Sequence, residues 1–398
     1  MASSDVKTVE ALVDDALVLG EGLNRPLRYV QLNSFYNGST GSIMRGLHAQ
    51  LSNCGVDSYC FWGRRHATID GHMQCCATKP EVYLHGAMTR LRDRMGFYSK
   101  RDTVRLLKRL DEIDPDVVHL HNIHGYYVNI EMLFAWLAAH RCQVRWTLHD
   151  CWALTGHCAY FTYVKCAQWM THCAYSESCP QPDAYPKTIC KSNCARNFED
   201  KRRIFTSVPP ERMTLICPSQ WLADLVAKSF LKGYPVEVRH NTIDKAVFKP
   251  TPSDFRERYG IGDRFMILGV ASPWTERKGL GDFVRLAGEL DSDRYAIVLV
   301  GLSAKQMKSL PVGIIGLTRT DSPQELAGIY TTADVFFNPT VEDNYPTVNL
   351  EAEACGTPVI TYDTGGCRET IADVRSHVVE GYSQAVELLK GKENHAAS

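Results

Sequence analysis

The sequence lacks the features that mark membrane-embedded, exported or nucleic-acid-binding proteins. No stretch approaches the roughly 18 consecutive apolar residues that a membrane-spanning helix needs. The segment 1–26 is acidic on balance, and it lacks the basic start and long apolar run of a secretory signal peptide. Lysine plus arginine total 44 against 45 acidic residues, so no basic excess favours a nucleic-acid partner. We therefore expect a cytoplasmic globular protein, with peripheral contact at the inner face of a membrane as an option.

Cysteine, in contrast, is abundant. Of fifteen cysteines, seven fall between Cys151 and Cys194. Without an export signal we expect reduced thiols. The spacing of Cys158, Cys166, Cys173 and Cys179 lacks the close CxxC pair of most structural zinc sites. We therefore expect free packed thiols and no metal, with zinc at these four cysteines and, after it, disulfides as the weaker alternatives. We interpret residues 151–194 as a cysteine-rich insert.

Short apolar runs alternate with helical periodicity along the chain, which predicts parallel sheets with helices on both faces. The runs form two series that meet at about 240–262, where prolines and glycines interrupt the pattern. The expected strands are 28–35, 57–62, 117–122, 143–149, 213–218 and 236–241 in the first series, and 265–271, 295–301, 313–317, 334–338 and 358–362 in the second.

The two series predict an α/β protein with two tandem Rossmann-like, doubly wound domains that face a central cleft. We expect an N-terminal extension at 1–26, a first domain at 27–245, a second domain at 246–390 and a tail at 391–398. Ligands of such sheets bind beyond the carboxyl ends of the strands. The residues of chemical interest do follow expected strands, namely His121, His124, His149, Ser219, Ser272 and Asp343.

The segment 341–366 carries the strongest local signal. A helix is expected to begin near Thr347, and the N–H groups of a helix N-terminus can hold a diphosphate. Glu351, one turn inside this helix, is placed to accept hydrogen bonds from a ribose diol. Asp343, in the preceding loop, is placed to accept hydrogen bonds from sugar hydroxyls. An ordinary surface loop with two solvated acids fits the same spacing.

Two further loops are candidates for contacts with phosphate. Arg277 and Lys278 precede a helix expected to start near Gly279, and cations beside a helix N-terminus suit phosphate oxygens. A solvated basic pair is the alternative. Gly38 and Gly41 lie in a loop before a helix expected from Ile43, where glycines let the backbone approach a ligand. A tight turn is the alternative there.

Histidines cluster after two expected strands of the first series. His119 and His121 point to the same face because side chains alternate along a strand. We expect His119 to be packed in the sheet layer and His121, at the strand end, to contact a substrate. His149 and Asp150 end another strand, although a lone histidine is more often structural. The acidic residues of 114–116 precede a strand, so we interpret them as a turn.

Several ordered motifs together resemble one known family. The motifs are SPWTERKG, Asp343-x7-Glu351, EAEACGTPVI, LNSFYNGSTGSI, DPDVVHLHNIHGYY, WTLHDCWALTGHCAYF and CPSQWLADLVAKSFL. They resemble the retaining nucleotide-sugar glycosyltransferases of family four, which have the two-domain GT-B fold. Within that family they are most similar to the branch that builds bacterial exopolysaccharide, including colanic-acid-type enzymes. The resemblance spans nearly all of residues 28–372.

The resemblance implies roles for particular residues. Asp343 replaces the first glutamate of the family motif, and Pro273 stands where many members have an arginine, so Arg277 would supply the second cation. The implied catalytic residues are Asp343, His121, Lys278 and Arg277. The implied donor-binding residues are Gly38, Ser39, Gly41, Ser272, Arg277, Lys278, Thr318, Arg319, Asn344, Tyr345, Thr347, Val348 and Glu351. The implied acceptor-side residues are His124, Tyr126, His149 and Asp150.

The resemblance also implies an activity. It predicts retaining transfer from a nucleotide-sugar, with UDP favoured and GDP next, to a hydroxyl acceptor in polysaccharide or lipid-linked oligosaccharide synthesis. The acceptor would attack from the face the diphosphate leaves, and no cofactor would be required. Glycosylation of a small secondary metabolite and a noncatalytic nucleotide-sugar-binding or scaffolding role are the alternatives. The segment 88–110, with eight basic and two acidic residues, would contact anionic lipid; a solvated basic helix or a patch that binds an acceptor phosphate is the alternative. The cysteine-rich insert 151–194 would form a lid over the acceptor.

Overall fold

The computed structural model of the chain describes residue 8 and residues 11–177, 179–181 and 184–396. The chain divides into two compact units, Met1–Asn241 and Thr242–Ser398. Each unit contains one parallel β-sheet with helices packed against it. The expected α/β class with two doubly wound sheets is therefore confirmed.

The N-terminal unit is built on a seven-stranded sheet with the strand order β3-β2-β1-β4-β5-β6-β7. All neighbouring strands pair in parallel. The strands are β1 Arg28–Phe35, β2 Asp57–Arg64, β3 Met73–Cys75, β4 Val117–Leu120, β5 Gln143–Thr147, β6 Met213–Cys217 and β7 Val236–Val238. The helices are α1 Ala11–Gly20, α2 Ser39–Asn53, α3 Lys79–Arg92, α4 Lys100–Ile113, α5 Ile130–Ala139, α6 Cys194–Phe205 and α7 Gln220–Val226.

The C-terminal unit is built on a six-stranded parallel sheet with the order β10-β9-β8-β11-β12-β13. The strands are β8 Phe265–Val270, β9 Tyr295–Val300, β10 Ile314–Leu317, β11 Val335–Asn338, β12 Val359–Tyr362 and β13 His377–Val379. The helices are α8 Phe255–Arg258, α9 Leu280–Glu289, α10 Ala304–Met307, α11 Pro323–Thr332, α12 Thr347–Ala354 and α13 Tyr382–Ala396.

Both sheets are covered on both faces, which explains why strands such as β8 and β9 are almost continuously apolar. In β1, Val30 and Leu32 face one hydrophobic cluster, while Tyr29 faces another that includes residues of α1 and α2. In β8, Ile267 and Met266 likewise face opposite clusters. Among the described residues, every helix is too short or too polar to span a lipid bilayer.

Two local expectations are wrong. Helix α2 begins at Ser39 and not at Ile43, because the Ser42 N–H already donates to the Gly38 carbonyl at 2.8 Å. The basic segment 88–110 is not one helix: it covers the end of α3 and most of α4. Asp93, Gly96 and Ser99 adopt positive φ between the two helices, which interrupts the helical backbone.

Candidate functional site

Two loops of the C-terminal unit meet at the carboxyl ends of neighbouring strands β8 and β11. The first loop leads to a 3₁₀ turn at Glu276–Lys278, and Gly279 follows with φ 77°. A Cβ at Gly279 would collide with the Pro339 carbonyl, so glycine permits the close approach. The Val341 N–H donates to the Arg277 carbonyl at 2.9 Å, which joins the two loops.

This junction places both candidate cations against Asp343. Lys278 Nζ donates to Asp343 Oδ2, and an Arg277 guanidinium nitrogen lies 4.0 Å from the same oxygen. Arg277 also donates to the Glu342 carbonyl. Burial by itself would raise the pKa of Asp343, but Lys278 and Arg277 outweigh it and hold that pKa below its ordinary value. Asp343 is therefore an ionised acid in the arrangement seen here.

The loop after β12 fixes the backbone of Asp343. The Gly366 N–H donates to the Asp343 carbonyl at 2.9 Å. Gly365 has φ 58°, and a Cβ there would collide with the same carbonyl. The Gly-Gly pair of the sequence motif thus serves close backbone packing beside the acid.

Helix α12 starts four residues after Asp343. The Asn344 N–H donates to Asp343 Oδ1 at 2.9 Å, and Asn344 and Tyr345 are buried. Pro346 holds the N-cap position, where a proline has no N–H to satisfy. The cations, Asp343 and the N-terminus of α12 therefore lie side by side within one unit, which favours binding of an anion.

Glu351 lies one turn inside α12 and is partly buried. Its Oε2 accepts a hydrogen bond from the Tyr330 hydroxyl at 3.1 Å. Burial raises the pKa of Glu351 to about 7, although hydrogen bonds from Tyr330 and Thr347 oppose the rise. Near neutral pH this carboxyl is thus divided between its two protonation states.

The other candidates of this unit lie at the same end of the sheet. Ser272 follows β8, and Thr318 and Arg319 follow β10; all three side chains are exposed. Thr347 and Val348 form the first turn of α12. The structure thus places every candidate of the C-terminal unit at strand ends or at the start of α12.

In the N-terminal unit, the glycine candidates lie at the start of α2. Gly38 has φ 85° and precedes the first helical residue, Ser39. A Cβ at Gly41 would collide with the Tyr36 carbonyl. This close contact supports the tight-turn interpretation for Gly41, and the backbone of Gly38 and Ser39 forms the N-terminus of α2.

His121 is buried at the end of β4, and hydrogen bonds fix its tautomer. Gln31 Nε2 donates to the Met44 carbonyl at 3.2 Å, so Gln31 Oε1 accepts from His121 Nε2 at 3.1 Å. His121 Nδ1 then accepts from His149 Nε2 at 3.0 Å. Burial lowers the pKa of His149 to about 4 and lowers that of His121 well below its ordinary value, so both rings are neutral.

His124 and Asp150 form a second pair beside these rings. His124 Nε2 lies 2.9 Å from Asp150 Oδ2, and Asp150 Oδ1 accepts from the Trp152 N–H at 2.9 Å. His124 Nδ1 is buried and has no hydrogen-bond partner among the described residues. Burial alone would raise the pKa of Asp150, but His124 and the Trp152 N–H lower it overall.

These residues line one cavity of the N-terminal unit, which we call the histidine cavity. Its walls include His121, Asn122, His124, His149, Asp150 and Trp152. The structure therefore brings together three of the four acceptor-side candidates. Tyr126 lies elsewhere: its ring is under the Arg64 guanidinium, 5.0 Å away, and near His85.

Sequence reasoning missed the residues that hold the candidates in place. Gln31, which fixes the tautomer of His121, was detectable as a polar side chain within the apolar strand RYVQL. Tyr330, which contacts Glu351, gives no local signal because a tyrosine on a helix is ordinarily a core residue. Lys201 is buried and donates to the carbonyls of Trp152 and Thr155 at 2.8 and 2.9 Å, which supports the wall of the histidine cavity.

The cysteine-rich insert has its own cavity, which we call the thiol cavity. Cys158, Cys166, Cys173, Cys179 and Cys194 line it, together with Phe161 and Trp169. All fifteen cysteines carry free thiols in the structure. Within the described ranges, no three histidine, cysteine or acidic residues stand close enough together to hold a metal ion.

Comparison with known proteins finds glycosyltransferases that are similar to this chain in sequence and in fold. The family model of the glycosyl transferases group 1 matches residues 264–389. A protein of Escherichia coli (strain K12), named as a candidate colanic acid biosynthesis glycosyl transferase, WcaC, is 26% identical over 370 residues, which cover 87% of this chain and 84% of that protein.

Two solved structures show the same fold. Sucrose-phosphate synthase from Thermosynechococcus elongatus has a TM-score of 0.66 at 15% identity, covering 93% of this chain and 90% of that one. Anabaena HepE in complex with UDP-glucose has a TM-score of 0.58 at 14% identity, covering 93% and 91%.

Proposed function

We propose that this chain, whose residues 264–389 match the model of the group 1 glycosyltransferases and whose fold is GT-B, transfers a sugar from a UDP-sugar to a hydroxyl acceptor with retention of anomeric configuration. The observation that carries the proposal is the convergence of Lys278, Arg277 and Asp343 at the N-terminus of α12. A GDP-sugar is the second choice of donor.

The leaving diphosphate is the group that this arrangement suits best. Two cations and a helix N-terminus all stabilise negative charge, and they are fixed before the ligand arrives. Lys278 is paired with Asp343 in the structure, so an incoming diphosphate competes with that carboxylate for the ammonium group. Electrostatic stabilisation of a leaving group by such preorganised donors lowers the barrier to transfer.

In this proposal, Glu351 of α12 and Asp343 of the preceding loop contact different parts of the donor. Glu351 accepts hydrogen bonds from the ribose hydroxyls, because it lies one turn inside the helix that would hold the diphosphate. Asp343 contacts the transferred sugar and stabilises positive charge at its anomeric carbon. The resemblance to family-four enzymes supports both assignments.

Retention follows if the acceptor attacks the face from which the diphosphate departs. The leaving phosphate oxygen then takes the proton of the acceptor hydroxyl, so the proposed mechanism calls on neither a protein nucleophile nor a cofactor. The N-terminal unit supplies the acceptor side through His124, His149 and Asp150 of the histidine cavity.

UDP and a polysaccharide-type acceptor are the choices that the comparisons support. HepE was solved with UDP-glucose, and the name of WcaC refers to colanic acid biosynthesis. We therefore place the reaction in the synthesis of a surface polysaccharide or a lipid-linked oligosaccharide.

The exposed faces of α3 and α4 support a membrane-associated acceptor. Arg90, Arg92, Lys100, Arg101, Arg105 and Lys108 are exposed there, and so are the apolar side chains of Tyr83, Leu84, Leu91 and Val104. Basic groups interleaved with exposed apolar groups suit the surface of an anionic membrane. We propose peripheral contact of this basic face with anionic lipid.

A thermal-shift panel on the full chain tests the donor. UDP and UDP-sugars should raise the melting temperature more than GDP, ADP or their sugars at equal concentration, because only bound ligand stabilises the fold. Lys278→Met should abolish the shift, whereas Lys305→Met, an exposed lysine of the same unit, should preserve it. A larger shift with GDP would identify GDP, in place of UDP, as the nucleotide of the donor, and no shift with any nucleotide would refute the proposal.

Turnover separates an enzyme from a noncatalytic binder. Release of UDP should depend on an added saccharide or lipid-linked acceptor and should disappear in Lys278→Met. Nucleotide binding without turnover across an acceptor panel would favour a scaffolding role, and turnover with soluble aglycones alone would favour a small-metabolite enzyme.

A further inference from the structure

The cysteine-rich insert contains little regular structure to hold it together. Between Thr155 and Asn193, the described residues form only two short 3₁₀ turns, Gln168–Met170 and Lys191–Asn193. A long segment without regular structure is uncommon inside a compact unit and is often functional. Packing around the thiol cavity contributes to the position of this segment.

Two of the five cavity thiols are brought together by the backbone. Cys173 and Cys194 belong to one small hydrophobic cluster with Phe198. Gly156 lies against both: a Cβ there would collide with the Cys194 carbonyl and press on the Cys173 Cβ. Glycine at this position therefore lets three backbone segments meet, which brings Cys173 and Cys194 next to each other.

Cys194 has the surroundings of a reactive thiol. It is the first residue of α6, and the N–H groups of a helix N-terminus favour a thiolate. Its contact with Cys173 lowers the pKa of Cys194. The same contact raises the pKa of Cys173, and burial raises that of Cys158 to about 12. We therefore take Cys194, at the helix N-terminus, as the nucleophile of the cavity.

We propose that Cys173 and Cys194 are a redox-active pair that a peroxide converts to a reversible disulfide. The Cys194 thiolate attacks one oxygen of hydrogen peroxide, the O–O bond breaks, and the departing hydroxide takes a proton to form water. The Cys173 thiol then loses its proton, and its sulfur displaces hydroxide from the resulting sulfenic acid, which forms the S–S bond and a second water. Two thiols are oxidised and one peroxide is reduced.

The disulfide would connect the insert to the helix that supports the histidine cavity. Lys201 lies on α6, seven positions after Cys194, and holds the carbonyls of Trp152 and Thr155. Trp152 in turn donates its N–H to Asp150. Oxidation would therefore clamp the segment between Cys173 and Cys194 onto a helix that already supports the acceptor side.

A disulfide fits the cavity better than a metal ion. His157 uses both ring nitrogens elsewhere, since Nδ1 lies 2.6 Å from Asp93 Oδ1 and Nε2 lies 3.2 Å from the Ala184 carbonyl. Only the thiols of the cavity would then be left to bind a metal ion. Within the described ranges, no three cysteine, histidine or acidic residues lie close enough together to do so. A pairwise link needs no more than the contact that Cys173 and Cys194 already make.

Peroxide treatment of the full chain tests the proposal. Reduced, desalted protein would be exposed to near-stoichiometric hydrogen peroxide, blocked with iodoacetamide and digested without reductant. Mass spectrometry should find the Cys173–Cys194 link, dithiothreitol should reverse it, and the melting temperature should rise by several degrees in the oxidised form. Cys173→Ser and Cys194→Ser should each abolish the link, while Cys54→Ser, at an exposed cysteine, should leave it intact.

Two results would refute the proposal that Cys173 and Cys194 form a redox-active pair. One is alkylation of both thiols after peroxide treatment, or a link to a different cysteine. The other is zinc in stoichiometric amount in the purified protein that both serine variants lose, which would make these thiols metal ligands. If a serine variant fails to fold, iodoacetamide kinetics on the native chain still decide: among the buried thiols of the cavity, Cys194 should react before Cys173 and Cys158, and slower reaction at Cys194 than at Cys158 would contradict the proposal.

Discussion

The most consequential single contact is the ion pair between Lys278 and Asp343. It means that the acid proposed to face the sugar also neutralises a cation proposed to face the diphosphate. Asp343→Asn should therefore leave UDP affinity unchanged or raise it, because the ammonium group is released. Sugar transfer should fall by about 100-fold or more, since one electrostatic contact to the transition state is lost.

Calorimetric titration with UDP and a turnover assay would separate these two effects. Asp363→Asn is the matched control, because Asp363 is an exposed acid of the same unit that pairs with Arg368. It should change neither quantity. Loss of UDP binding in Asp343→Asn would show that the carboxylate holds the nucleotide site together and would contradict the division of roles.

Glu351 gives a prediction about pH. Burial raises its pKa from 4.5 to about 7, and an ionised carboxylate is the better acceptor for ribose hydroxyls. UDP affinity should therefore rise between pH 6 and pH 8, and Glu351→Gln should flatten that profile. Titration calorimetry at three pH values would measure it, and an equally steep profile in the variant would assign the dependence to another group.

The same pKa shift has a consequence for stability. A carboxyl whose pKa is raised in the folded state stabilises the fold at low pH and loses that contribution as pH rises through about 7. Relative to the native chain, Glu351→Gln should thus gain stability from pH 5 to pH 8. Thermal melts at the two pH values would check this, and Glu289→Gln, at an exposed glutamate, should show no such trend.

At the scale of elements, the regular strands were predictable and the breaks were not. The pattern predicted β1 at 28–35 and β8 at 265–271, and the structure has β1 at Arg28–Phe35 and β8 at Phe265–Val270; in β8 the reason is that a strand buried on both faces is a continuous apolar run. The three-residue strands β3 and β13 are too short to show a period. The break between α3 and α4 depends on positive φ at Asp93 and Ser99, and these residue types do not by themselves predict positive φ.

The Gly-Gly turn after β12 offers a test at this scale. Gly365→Ala should destabilise the C-terminal unit by about 2 kcal/mol or more, because the backbone there has positive φ and a Cβ meets the Asp343 carbonyl. Gly288→Ala in α9 is the matched control: its Cβ meets nothing within 4 Å, so stability should hold or rise slightly. Urea unfolding would compare them, and equal effects would refute the steric argument.

At the scale of the whole molecule, the sequence predicted where the candidate residues lie better than it predicted which residues they contact. Strand ends are a fixed edge of a parallel sheet, so Asp343, Lys278 and His149 could be placed at that edge from the strand pattern. That Lys278 pairs with Asp343, 65 positions away, and that Gln31 holds His121 depend on strand order and register. Neither order nor register is encoded in a local pattern.

Charge distribution over the whole molecule leads to the last prediction. The net charge is −1, so no general attraction draws the protein to an anionic surface. Attraction must come from the basic face of α3 and α4, where each surface Lys or Arg is worth about 1 kcal/mol against an anionic membrane. The full chain should sediment with phosphatidylglycerol vesicles at low salt and be released at high salt.

Charge-neutralising variants locate that attraction. Replacing Arg90, Arg101 and Arg105 with glutamine should release the protein from phosphatidylglycerol vesicles, because it removes exposed cations of the basic face. Replacing the exposed Lys228, Lys305 and Lys308 changes the net charge equally and should leave binding intact. Equal loss in both triple variants would indicate a diffuse charge effect. Binding to neutral phosphatidylcholine that resists salt would instead assign the contact to Tyr83, Leu84 and their apolar neighbours.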